Sequence, residues 1–124
     1  MATNAKTEQL IEAPSDRMAE LLRTSLAQKG FRIDLINDEL CELNAQLVKS
    51  ERISGVQWNY EFHVYASWMP AENGTKLFLE VSENKNAWTT DSCREHCVST
   101  MQGVIDRAAK LKALEKSQPK SNRY

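Results

Sequence analysis

The chain has 124 residues, 41% of them hydrophobic and 27% charged, with a formal net charge of −1. That length suits a single domain spanning residues 1–124, and the balance of apolar and charged residues excludes a disordered chain. The near-neutral charge gives no general attraction for phosphate backbones or anionic lipid, and no stretch approaches the roughly 18 apolar residues of a membrane helix.

Met1 to Lys6 lacks the apolar run of a signal peptide, so a cytoplasmic location is expected. The three cysteines are an odd number for a disulfide framework and point to reduced thiols. The ordered core is expected over about residues 7–115. Residues 7–13, TEQLIEA, read as a short strand stopped by Pro14. A helix follows, capped by Ser15 or Asp16, with Met18, Leu21, Leu22 and Leu26 forming one apolar stripe and Gly30 ending it.

Phe31, Ile33 and Leu35 alternate with Arg32 and Asp34, which is strand periodicity. Asn37-Asp38 supplies turn chemistry before a second alternating run, Cys41, Leu43, Ala45 and Leu47. Residues 49–55, KSERISG, read as a polar loop. The clearest signal follows, with Trp58, Tyr60, Phe62, Val64, Ala66 and Trp68 interleaving with polar neighbours as a long half-buried strand. Pro70 to Gly74 makes the next turn, and Thr75, Leu77, Leu79 and Val81 continue the alternation in a pairing strand.

After a loop over residues 83–91, Ser92 and Glu95 have capping-box spacing and open a long helix. Its apolar stripe is Cys97, Met101, Val104, Ile105, Ala108 and Leu111, with Arg107, Lys110, Lys112 and Lys116 gathered near the cation-favouring C-terminal end. Residues 117–124, SQPKSNRY, read as a flexible tail. The order βαββββα implies an α+β two-layer sandwich, an antiparallel sheet with both helices on one face.

That element order is similar to TATA-binding-protein repeats and to helix-grip (START or Bet v 1-like) domains. The tetrapeptide IEAP, residues 11–14, resembles the strand-to-helix entry of the latter. Helix-grip likeness implies a gap between sheet and long helix where an apolar ligand lies, although those domains usually have more strands than this chain supplies.

Several side-chain sets invite chemical readings. Cys41, His63, Cys93, His96 and Cys97 do not make a tetrahedral zinc set, because adjacent helix residues diverge and His63 has the outward strand parity. The cysteines are therefore expected in the core, and no cofactor or metal is expected. Cys93 is a candidate reactive thiol on account of its place in the first helical turn, where the dipole lowers a thiol pKa. With no acid–base pair, phosphate loop or orienting acid in view, the sequence leans away from an enzyme.

The outward sheet face carries Arg32 and Lys76 against Asp34, Glu42, Glu61 and Glu80. An acidic face of this kind repels nucleic acid. Leu40, Val48, Tyr65 and Phe78 fall in it and form a candidate interaction surface. The leading expectation is a non-enzymatic module that binds a protein partner or self-associates. The alternative is a binder of a small apolar molecule, its pocket lined by Trp58, Tyr60, Phe62, Trp68 and Met101.

Overall fold

The computed structural model describes residues 3–84 and 92–117. The elements in chain order are β1 (Thr3–Ile11), a 3-10 turn (Ser15–Arg17), α1 (Met18–Gln28), β2 (Arg32–Asn37), β3 (Glu42–Ile53), β4 (Val56–Ala71), β5 (Gly74–Asn84) and α2 (Ser92–Ser117). The five strands form one antiparallel sheet in the order β1-β5-β4-β3-β2, so the first strand lies beside the last. The tail from 118 and the connection over 85–91 lie outside the described residues.

Strand alternation divides the sheet. Leu43, Ala45, Phe62, Val64, Ala66, Trp68, Leu77, Leu79 and Val81 are buried on the inner face, where α1 adds Met18, Leu21, Leu22 and Leu26 and α2 adds Cys93, Cys97, Met101, Val104 and Ala108. Complete burial of a leucine such as Leu26 contributes about 2 kcal/mol, and truncating it to alanine costs more because a cavity is left. The outer face is knitted by polar pairs. Lys6 lies 3.9 Å from Glu80, Lys76 lies 3.4 Å from Glu8, and Tyr65 donates to Glu42 at 3.2 Å.

The structure corrects several local expectations. Leu35 does not follow Phe31 and Ile33 inward: the register of β2 shifts between Ile33 and Leu35, so Leu35 pairs with Asn44, is 55% exposed, and yields the inner place to Ile36. One extra residue in a strand reverses the parity of everything after it. Cys41 precedes β3, at a φ of 55°, and packs half-buried against the core from the turn, not from a strand. Asn37 shapes that turn by accepting from the N–H groups of Glu39 and Leu40, each at 3.1 Å.

The expected loop over 49–55 is strand as far as Ile53. Ser54 and Gly55, at φ of 52° and 78°, make a two-residue turn that matches strand twist. Beyond the last described β4–β5 pair, Glu61 with Asn84, the β3–β4 pairing continues to the turn as a two-stranded ribbon among the described residues. No helix-facing apolar pattern marked its β3 side in the sequence. Pro70 pairs with Thr75, which shrinks the next turn to Glu72-Asn73.

Helix entry also differs. Neither Ser15 nor Asp16 caps α1; the 3-10 turn leads into it, with Arg17 N–H donating to the Pro14 carbonyl at 3.0 Å and its guanidinium pairing with Glu20 at 2.9 Å. The C-terminus follows the expected Gly30 stop. Gly30 at φ 89° lets its own N–H reach Ala27 and the Phe31 N–H reach Leu26, both at 3.0 Å, a Schellman closure. The Ser92 side chain of the expected capping box lies outside the described set.

Candidate functional site

The inner face of α2 closes tightly on the sheet. Cys93 and Cys97 are each 2% exposed, and the Cys97 thiol reaches 3.9 Å from the Leu79 carbonyl oxygen of β5. Small side chains on this face let helix and strand approach. Burial, and then the neighbouring Cys93, push the Cys97 thiol above its ordinary pKa. Both effects disfavour thiolate, and Cys93 sits among core residues away from solvent. Among the described residues, no three His, Cys, Asp or Glu side chains converge to hold a metal ion.

Among the described residues, one open space lies where α2 runs past the end of β1. A groove of about 530 Å³ is lined by Gln9, Leu10, Ile11, Glu12, Ile105, Ala108, Ala109, Lys112 and Ala113. A second hollow of about 360 Å³ adjoins it, sharing Glu12, Ala108 and Lys112 and adding Ala13, Pro14 and Gly74. The Lys112 ammonium bridges to the Glu12 carboxylate at 3.5 Å between the two hollows. The walls are mainly aliphatic, with one ion pair and the Gln9 amide as polar features.

The IEAP segment forms one bank of this furrow, and its shape has identifiable causes. Ala13 N–H turns back to donate to the Ile11 carbonyl at 2.8 Å, and the buried Thr75 hydroxyl donates to the Ala13 carbonyl at 2.7 Å. Gly74, at φ 156°, packs against the same corner so closely that a β-carbon there would overlap the Ile11 carbonyl oxygen. The corner is held by backbone contact. The opposite bank is the Ile105, Ala109 and Ala113 row of α2, where alanines leave the groove its width.

The described members of the pocket expected from sequence fall elsewhere. Phe62, Trp68 and Met101 are 2%, 6% and 4% exposed, and none lines the groove. Six residues separate Phe62 from Trp68 along β4, about 20 Å, so they occupy different parts of the core. The side chains of Trp58 and Tyr60 lie outside the described set. Phe62 instead meets His96 edge-to-face, centroids 4.4 Å apart, and His96 also meets Phe31 at 5.5 Å.

The proposed interaction residues do not form one patch. Tyr65 and Phe78 make an edge-to-face pair at 6.5 Å on the outer face, whereas Leu40 (67% exposed) lies in the β2–β3 turn and Val48 (62%) lies on the ribbon side of β3. Burial, followed by the Glu42 hydrogen bond and charge, raises the Tyr65 phenol pKa. Lys112, Ala109 and Ala113 were not marked as a site in the sequence. The available signal was on α2 alone, Ala108, Ala109 and Ala113 at helical spacing.

An antiparallel sheet gripped by a long C-terminal helix, with a short helix after the first strand, defines a helix-grip-like fold. The chain resembles the crystal structure of Ara h 8.0201 with a TM-score of 0.56 and 11% identity, covering 87% of this chain and 95% of that one. A protein of Rhizobium leguminosarum gives a TM-score of 0.54 at 12% identity, covering 89% and 96%. No family model matches the sequence, and no curated protein matches it. Among the described residues, no helix is long and apolar enough to cross a membrane.

Proposed function

We propose that the protein binds a small apolar molecule in the furrow between the IEAP corner and the C-terminal half of α2. The observation that carries this reading is the groove of about 530 Å³ with aliphatic walls and a single ion pair at its rim. Its size falls within the roughly 300–1,000 Å³ of small-molecule sites, and a few polar groups in an apolar wall are what orient a ligand. The helix-grip-like fold supports the same class of ligand, with the position moved from the interior to the seam beside β1.

The test is calorimetric titration with decanol and decanoate against the protein and its Ala109→Trp variant. Ala109 is exposed, so the indole fills the groove without entering the core. Saturable binding lost in the variant, with thermal stability retained, is the expected result. Binding unchanged by Ala109→Trp would contradict the location, and no binding of either probe would contradict the ligand class.

Association with a protein partner or a second copy is a separate reading. It is favoured by the unpaired edge of β1, which Thr3–Ile11 leave open along nine residues among those described. Native mass spectrometry tests it, since a single 14.1 kDa species at all concentrations would exclude self-association.

A further inference from the structure

The two edges of the sheet are not alike. At one, β2 is six residues long and its register is broken between Ile33 and Leu35, devices that blunt strand-to-strand pairing. At the other, β1 pairs with β5 in unbroken register from Thr3 to Ile11, and among the described residues no strand covers its outer side. A long, regular edge of this kind presents main-chain donors and acceptors to another strand.

The side chains of β1 specify which strand fits. Antiparallel pairing of two β1 strands with complete overlap is centred on Thr7, because Thr7 is the midpoint of Thr3–Ile11. In that register Lys6 stands opposite the partner's Glu8, and Glu8 opposite the partner's Lys6. Thr7 faces the partner's Thr7, Ala5 faces the partner's Gln9, and Leu10 faces the partner's Asn4. Lys6 and Glu8 are both more than half exposed, and each already has an oppositely charged neighbour within its own chain: Glu80 at 3.9 Å and Lys76 at 3.4 Å. The pairing therefore extends a row of alternating sign, Glu80, Lys6, the partner's Glu8, the partner's Lys76. Opposite charges directly across a strand pair stabilise it, and like charges destabilise it.

We infer that β1 is a self-recognition edge, and that two copies join antiparallel through Thr3–Ile11 about a two-fold axis at Thr7, continuing the sheet across both. The register that gives complete overlap is also the register that matches the charges. The inference rests on the association reading above and names its partner and register; Gln9, Leu10 and Ile11 belong both to this edge and to the groove wall, so the dimer borders the ligand site.

The experiment is sedimentation velocity over a concentration series on the full chain, with Lys6→Glu, Glu8→Lys and the double reversal. Each single change creates two like-charge pairs by symmetry and is expected to weaken the dimer roughly tenfold or more, about 1.4 kcal/mol. The double reversal restores both cross-strand pairs, though it sets Glu80 and Lys76 of the same chain against like charges, and is expected to recover most of the affinity lost in either single change. Thermal unfolding of each variant verifies that the fold persists. A wild-type chain that stays monomeric, single reversals without effect, or a double reversal that fails to rescue would each overturn the inference. Calorimetric titration of the Lys6→Glu variant with decanol separates the two proposals, since Lys6 lies outside the groove and its reversal is expected to weaken the dimer while ligand binding persists.

Discussion

Replacing Gly74 by alanine tests the corner on which the candidate site is built. The added β-carbon would overlap the Ile11 carbonyl oxygen and come within 3.3 Å of the Glu12 Cα. Both obstacles are main chain, so relief requires movement of the IEAP segment or of the β4–β5 turn. Overpacking of this kind costs about 1–3 kcal/mol, and a side chain held at φ 156° adds strain of similar order. The expected total is about 3–4 kcal/mol, a large share of the roughly 5–15 kcal/mol by which a domain is stable.

Urea unfolding followed by circular dichroism is the assay. At a slope of about 2 kcal/mol/M the midpoint is expected to fall by roughly 1.5–2 M with the slope unchanged. Gly55→Ala is the control: its φ is 78°, but no described atom lies within 4 Å of the added carbon, so only backbone strain of about 1 kcal/mol applies. Equal losses for Gly74→Ala and Gly55→Ala would refute the close packing of the corner on β5.

Other outcomes follow from single groups. Thr100 of α2 and Ser25 of α1 are buried, and neither hydroxyl has a hydrogen-bond partner among the described residues. Thr100→Val removes an unsatisfied group at constant shape and is expected to raise stability by about 1–2 kcal/mol, or a melting temperature by about 4–8 °C. A loss on thermal melting would mean that the hydroxyl is bonded. Tyr65 has a raised pKa in the folded state. The phenol's contribution is therefore complete below the ordinary tyrosine value near 10 and is lost as pH rises past it. Tyr65→Phe should show a shallower decline between about pH 9 and 11 in urea titrations than wild type; parallel curves would refute the assignment. With a thiol reagent, half-buried Cys41 is expected to react first, and Cys93 and Cys97 only as the protein opens. Rapid modification of Cys93 would instead support a reactive thiol.

Much of the fold was legible because burial is one-sided. The alternation in β4 from Phe62 to Trp68 and in β5 from Thr75 to Val81 is the direct imprint of a sheet covered on one face, and both helices carry a matching stripe. Local reading failed where one residue changed the count. The irregularity after Ile33 sent Leu35 outward, and Cys41 meets the core from a turn instead of from a strand. The ribbon from Val48 to Glu61 was partly hidden because it extends beyond the last described β4–β5 pair.

The candidate groove was hidden for a different reason. Its banks come from Gln9–Glu12 and Ile105–Ala113, about 100 residues apart, and no local pattern states that two such segments are neighbours. The IEAP tetrapeptide marked one bank through its likeness to helix-grip entry. The aromatic stripe of β4 drew attention to the interior, where Phe62 and Trp68 prove to be packed side chains in separate places. Lys112, read as a cation at a helix C-terminus, also bridges to Glu12.

The most direct measurement of the central claim is an amide NMR titration of the isotopically labelled chain with decanol. Binding in the furrow predicts saturable shifts concentrated at Leu10, Glu12, Ile105, Ala109 and Lys112, with Val64 and Met101 unmoved. Shifts centred on Phe62, His96 and Met101 would place the ligand inside the sandwich and contradict the account, as would a spectrum that does not change.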